Sequence, residues 1–120
     1  AKAGANVMLN LCYEEDNVDA VLDMGGADCL VAFLRGHDTE LQASASGALQ
    51  SICYQERGRE LVRELGAIPV FVGLLGCGDV NVLTRAVGAL HNLSSDPGSI
   101  ALIRDAEGIP PLVDLLRMPD

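Results

Sequence analysis

Few side chains in this sequence stand where they could do covalent chemistry. His91, in "GALHNLSS", is the one candidate general base on its stretch, and no acid or nucleophile stands at a spacing that would join it. The cysteines at 12, 29, 53 and 77 form no Cys-x-x-Cys pair, and His37 and His91 lie at no zinc spacing. Cys12 and Cys53 hold matching apolar positions, which points to small buried residues rather than redox thiols. "GCGD" from Gly76 to Asp79 lacks a third glycine at nucleotide-loop spacing and follows no strand, so it is not a phosphate loop. "NLS" at Asn92 matches a glycosylation sequon but falls within a helical pattern. No enzyme, metal or cofactor is expected. What remains is recognition chemistry: carboxamides, two tyrosines and a few isolated polar groups.

Those groups are carried by a repeated frame. Shifting the chain by 41 residues aligns it with itself twice without a gap. Met8, Leu49 and Leu90 match, as do Leu11, Ile52 and Leu93. Leu34, Leu75 and Leu116 match further on. Each unit reads as three helices. Asp38 and Asp79 are good N-caps for a long helix with an apolar stripe at Leu41, Ala45, Ala48, Leu49 and Ile52 in the middle copy. A short helix around Leu61, Val62 and Leu65 precedes a break at Gly66, and Ile68 to Leu75 form the next. In the last copy Asp96 as N-cap and Pro97 as first helical residue open the short helix.

Composition agrees. Apolar residues are 49% of 120 and aromatics only 3%, with no Trp, so Leu, Val, Ile and Ala must fill the core. The net charge of −9 repels phosphate backbones, which argues against nucleic acid or anionic membranes as partners. The longest uncharged apolar stretch, Leu65 to Gly78, contains Pro69 and four glycines and is too short to span a bilayer. The chain begins without Met inside an apolar pattern, so it reads as an excerpt of a longer protein in a reducing, intracellular setting, the cytoplasm first and the nucleus second.

"ELGAIPVFVGLL", "AEGIPPLVDLL" and "VLTRAVGALHNLSS" resemble the turn, second helix and long third helix of armadillo repeats. The resemblance covers the whole chain: the end of a third helix (1–15), two full repeats (16–56 and 57–95) and a first-and-second-helix pair (96–120). It implies an all-α, right-handed solenoid whose third helices line a concave groove that holds partner proteins without catalysis. One residue departs: Glu107 stands where the family's turn glycine is expected, and Gly108 is positioned to take over.

Taking the core stripe as fixed, the opposite face of the middle third helix is 43, 47, 50 and 54, with 51 on its flank. Stacking yields rows: Lys2, Ala43, Thr84; Asn6, Gly47, Gly88; Leu9, Gln50, His91; Asn10, Ser51, Asn92; Tyr13, Tyr54, Ser95. The resemblance makes Asn10 and Asn92 peptide-holding asparagines, with Ser51 between them; the other reading has each bonding its neighbouring repeat. The nuclear-import receptors of the family that the chain resembles carry a Trp one turn before that Asn; here Asn6, Gly47 and Gly88 hold the place, so a wide, shallow floor suited to a helix or a folded surface is expected. Tyr13 and Tyr54 are either interface aromatics or caps packed on the following loop. Leu9 is an exposed anchor or a scattered surface Leu. The acids gather off the rows (Glu14, Glu15, Asp16, Asp19, Asp23, Glu56, Glu60, Glu64), leaving Lys2 as the rows' one charge, with Arg85 nearby.

The expected function is a protein-interaction scaffold. The alternatives are a component of a large filament or ciliary assembly and a regulator that binds small GTPases. Apolar faces at both ends also predict self-association, or else coverage by neighbouring repeats.

Overall fold

In a computed structural model that describes residues 2–118, the chain is helical throughout, with no strand among the described residues. Helices α1 (Lys2–Leu11), α4 (Thr39–Ile52) and α7 (Val80–Leu93) are the three long-helix positions. Before α4 come α2 (Glu15–Asp23) and α3 (Gly26–Leu34); before α7 come α5 (Glu56–Glu64) and α6 (Ala67–Leu74). The chain continues through α8 (Pro97–Asp105) and α9 (Ile109–Leu116). The period read from the sequence is thus the period of the fold, a solenoid in which α4 packs against α1, α3 and α7.

Local sequence sets the boundaries. The Asp38 carboxylate accepts from the backbone N–H of Glu40 (3.0 Å) and Leu41 (3.2 Å), and that of Asp79 accepts from Val82 N–H (3.1 Å). Each satisfies donors that the first helical turn leaves unpaired. Asp96 holds the N-cap position of α8, with Pro97 following, but its side chain caps nothing. Arg59 (2.9 Å) and Arg63 (3.5 Å) have taken it instead, because a carboxylate facing two guanidiniums gains more there than at a backbone N–H.

The turn between first and second helices needs a left-handed residue. Gly25 (φ 75°) and Gly66 (φ 74°) supply it. In the third copy Glu107 itself takes that conformation (φ 62°), whereas Gly108 is right-handed (φ −78°), so Gly108 does not take over. Gly108 is needed for room: a Cβ there would lie 2.8 Å from Ile103 Cγ2 and 3.0 Å from its carbonyl oxygen.

The core is aliphatic. Ala45, Ala48, Leu49 and Ile52 of α4 are buried with Ala86, Ala89 and Leu93 of α7, and Leu30, Leu34, Ile68 and Phe71 close on them from the second helices. Small residues on the long helices let their backbones approach, so larger side chains of α3 and α6 can fill the space between. Cys12 and Cys53 belong to this core, and burial pushes the Cys53 thiol up to about 12, which keeps it from acting as a nucleophile.

Candidate functional site

Helices α1, α4 and α7 lie side by side, so side chains at one register position form a row across three helices. The residues expected in those rows divide into two sets. At the starts and middles of the helices neighbouring side chains cover the row's glycines, and a hollow of about 310 Å³ lined by Asn6, Glu40, Ala43, Ser44, Asn81 and Arg85 lies beside them. Gly47 is buried: a Cβ there would lie 2.7 Å from Leu9 Cδ1 and 3.2 Å from Arg85 Cδ. Gly88 is covered in the same way by the Gln50 carboxamide, 2.4 Å from where its Cβ would be. The wide floor expected from these glycines is therefore absent, because longer side chains from the neighbouring helix fold over each of them. Ala43, expected on the open face, is buried too. Leu9, expected as an exposed anchor, is half-buried as the lid on Gly47.

The polar residues of this part are committed to holding the helices together. Arg85 Nη1 donates to the Ala43 carbonyl (2.9 Å), and Asn92 Nδ2 donates to the Gln50 carbonyl (2.9 Å). Ser44 Oγ donates to Asn6 Oδ1, joining α4 to α1. Ser51 is buried. Of the two readings of the asparagines, Asn92 follows the one in which it bonds the neighbouring repeat. Asn10 is exposed and makes no side-chain hydrogen bond among the described residues. Lys2 is held by Asp38 (3.1 Å) and Glu40 (3.5 Å), and hydrogen bonding to Asp38 is the chief reason its pKa is raised.

At the other end of the same helices the surface opens. Tyr13 and Tyr54 directly follow the last turns of α1 and α4 and are 74% and 72% exposed, so neither packs down as a loop cap. Two hollows of about 210 Å³ each adjoin them, and both tyrosines and Ser51 line both. One hollow continues towards Cys12, Glu15 and Gln55; the other continues over Leu9, Gly47, Gln50 and Arg85. His91, in the corresponding last turn of α7, is exposed, and its backbone carbonyl accepts from Ser94 Oγ (2.6 Å).

Residues outside the rows hold this end in place. Arg59 Nη1 donates to the carbonyls of Cys53 (3.2 Å) and Tyr54 (3.1 Å) while its Nε pairs with Asp96. Those carbonyls at the helix end would otherwise be without partners, and a cation suits that end of the dipole. Gln55 Nε2 donates to the Glu15 carbonyl (3.3 Å), joining the start of α5 to the start of α2. The only trace of Arg59 in the sequence is a basic residue shortly after a helix end, which does not show where its other arm goes. Among the described residues no group of three or more His, Cys, Asp or Glu side chains could hold a metal, and no helix is long and apolar enough to cross a membrane.

Short helices in threes, stacked at a constant period and joined side by side through their longest members, define the chain as an α-solenoid of the repeat-protein class. The family model described as Armadillo/beta-catenin-like repeat matches residues 14–54 and 55–95, and the chain belongs to that family. Solved structures agree. One engineered protein superposes with a TM-score of 0.94 at 33% identity, over 99% of this chain and 30% of its own. A second engineered protein gives 0.93 at 32%, over 99% and 49%. A designed armadillo repeat protein, solved in complex with peptide (KR)4, gives 0.92 at 24%, over 99% and 51%, a likeness of fold alone. The chain thus spans about half or less of the length of these structures. No curated protein matches it.

Proposed function

We propose that this segment of armadillo solenoid is a non-catalytic scaffold that holds a partner protein along the concave face of α1, α4 and α7, with its anchor at the tyrosine end. The observation that carries this reading is the pair of exposed tyrosines bordering two adjacent hollows. Tyr offers a large apolar face and a hydroxyl while losing little conformational entropy, which is why it recurs at binding hot spots. Asn10 and His91 add free polar groups beside the tyrosines, whereas Asn6, Leu9, Gln50, Ser51, Arg85 and Asn92 form the supporting framework.

The test is a selection of displayed peptides on the immobilised chain, followed by affinity measurements on the selected binders. Tyr13→Ala with Tyr54→Ala should weaken those binders by about 2 kcal/mol or more. Circular dichroism and the melting temperature should not move, since both side chains are already solvated. Binders that bind the double variant with undiminished affinity would remove the tyrosine end as the site.

A further inference from the structure

Two charges of opposite sign stand on either side of the tyrosine pair. Glu15 is the one charged residue lining the first hollow, and Arg85 is the one charged residue lining the second. Neither has an ion-pair partner among the described residues. Arg85 uses only Nη1, on the Ala43 carbonyl (2.9 Å). Tyr13, Ser51 and Tyr54 form the wall that the two hollows share. Both hollows lie between successive repeats of the chain, so both sides of each are present.

Ser51 is the second observation. It is 9% exposed, and its hydroxyl makes no hydrogen bond among the described residues. Ser44 and Ser99 are buried to a like degree, yet both are engaged, Ser44 with Asn6 and Ser99 with Arg63 (3.0 Å). Ser46 is unpaired as well, but it is wholly enclosed and lines neither hollow. A hydroxyl buried without a partner is costly, so one that opens on a hollow is a place for a ligand's polar group.

We infer that the two hollows read a pair of oppositely charged side chains on one extended partner segment. An arginine lies beside Glu15, and a glutamate or aspartate two residues along lies beside Arg85. This rests on the tyrosine-end reading and specifies what binds there. A guanidinium in the first hollow meets the Glu15 carboxylate and a tyrosine face, a setting that suits a planar cation better than an ammonium. A carboxylate in the second meets Arg85 Nε and Nη2, the nitrogens not engaged by Ala43. Ser51 joins the two. A hydroxyl has one donor and two acceptor sites, so it can accept from the guanidinium and donate to the carboxylate at once. Adjoining hollows call for neighbouring side chains on one side of the segment. In an extended chain these are alternate residues, about 7 Å apart. The net charge of −9 alone would favour a wholly basic segment; the Arg85 guanidinium is what asks for an acid.

The test is a titration of the isotope-labelled chain with short blocked peptides, read from the amide resonances of Tyr13, Ser51 and Tyr54. The mixed peptide carries an arginine and a glutamate separated by one alanine, made in both orders. Two others carry two arginines or two glutamates at those places. The better mixed order should bind at least about threefold more tightly than either like-charged peptide, the size of a partly exposed ion pair. Glu15→Gln should weaken the mixed and two-arginine peptides by about threefold and leave the two-glutamate peptide no weaker. Glu60→Gln, the same charge change away from both hollows, should do neither. Ser51→Ala should keep its circular dichroism and should cost the mixed peptide more than either like-charged one. A two-arginine peptide that binds as tightly as the mixed one would overturn the inference, since the acidic surface alone would then account for binding. So would peptides that move none of the three resonances, an equal effect of Glu60→Gln, or an equal loss on all peptides from Ser51→Ala. The selected binders keep the two readings apart. If they depend on Tyr13 and Tyr54 while the peptides show no charge preference, this inference fails and the scaffold reading stands. If they ignore both tyrosines, the scaffold reading itself fails.

Discussion

Gly47 and Tyr54 lie two turns apart on the same side of the chain around α4, and helix periodicity assigns both to the open face. One is buried under Leu9 and Arg85; the other is 72% exposed. The difference does not come from α4. It comes from what α1 and α7 send across. Long side chains at Leu9, Arg85 and Gln50 lean onto the glycines of the adjacent helix, and nothing leans onto the tyrosines. A glycine in a solenoid row is thus a receptacle for a neighbour at least as readily as a gap for a partner.

Removing a lid breaks that contrast. The largest effect is expected from Arg85→Ala, which uncovers Gly47 and leaves the Ala43 carbonyl without its charged donor. A hydrogen bond of this kind is worth roughly 2 kcal/mol. Urea unfolding should show a loss of about that size, and the hollow that Gly47 lines together with Leu9 and Arg85 should deepen. Asn92→Ala should cost less, about 1 kcal/mol, because it removes a neutral bond to the Gln50 carbonyl. Asn10→Ala should cost the folded monomer nothing measurable. If the two asparagine variants lose equal stability, the division between braced floor and exposed end is wrong.

Much of this was legible in the sequence, and the limits follow from residue type. The three-helix period, the caps at Asp38 and Asp79 and the turn glycines are local, since each depends on a few adjacent residues. The buried stripe Ala45, Ala48, Leu49 and Ile52 is also local, because helical spacing alone puts it on one side. The committed roles of Arg59, Arg85 and Asn92 are not local. Their partners lie some five to forty-two residues away, and a long flexible side chain can reach in several directions. Glu107 failed for another reason. The turn demanded a left-handed residue at that register position whatever its type, and Gly108 was held by its closeness to Ile103. Whether the tyrosines pack down as caps was not legible in the sequence, because that depends on the neighbouring loops; their exposure answers it.

The smallest effect lies at the rim of the braced floor, where Lys2 reaches Asp38 and Glu40. The Asp38 carboxyl is held below its ordinary value, first by the backbone N–H of Leu41 and then by the Lys2 ammonium. A carboxyl with a lowered folded pKa binds its proton more readily in the unfolded chain. Its contribution is therefore complete above the unfolded value near 3.9 and is lost as pH falls through the lower folded value. Asp38→Asn keeps an acceptor at the N-cap but removes both the titration and the pair with Lys2. At pH 7 the original chain should be the more stable in urea. Near pH 3 the gap should narrow, and in 1 M salt at pH 7 it should narrow as well, because the pair is exposed and screened. A gap that is the same at both pH values would mean that Lys2 and the charge on Asp38 contribute nothing. The cap would then be a matter of geometry alone, and the joint between α1 and α4 would rest on Ser44, Asn6 and the packing of Leu9.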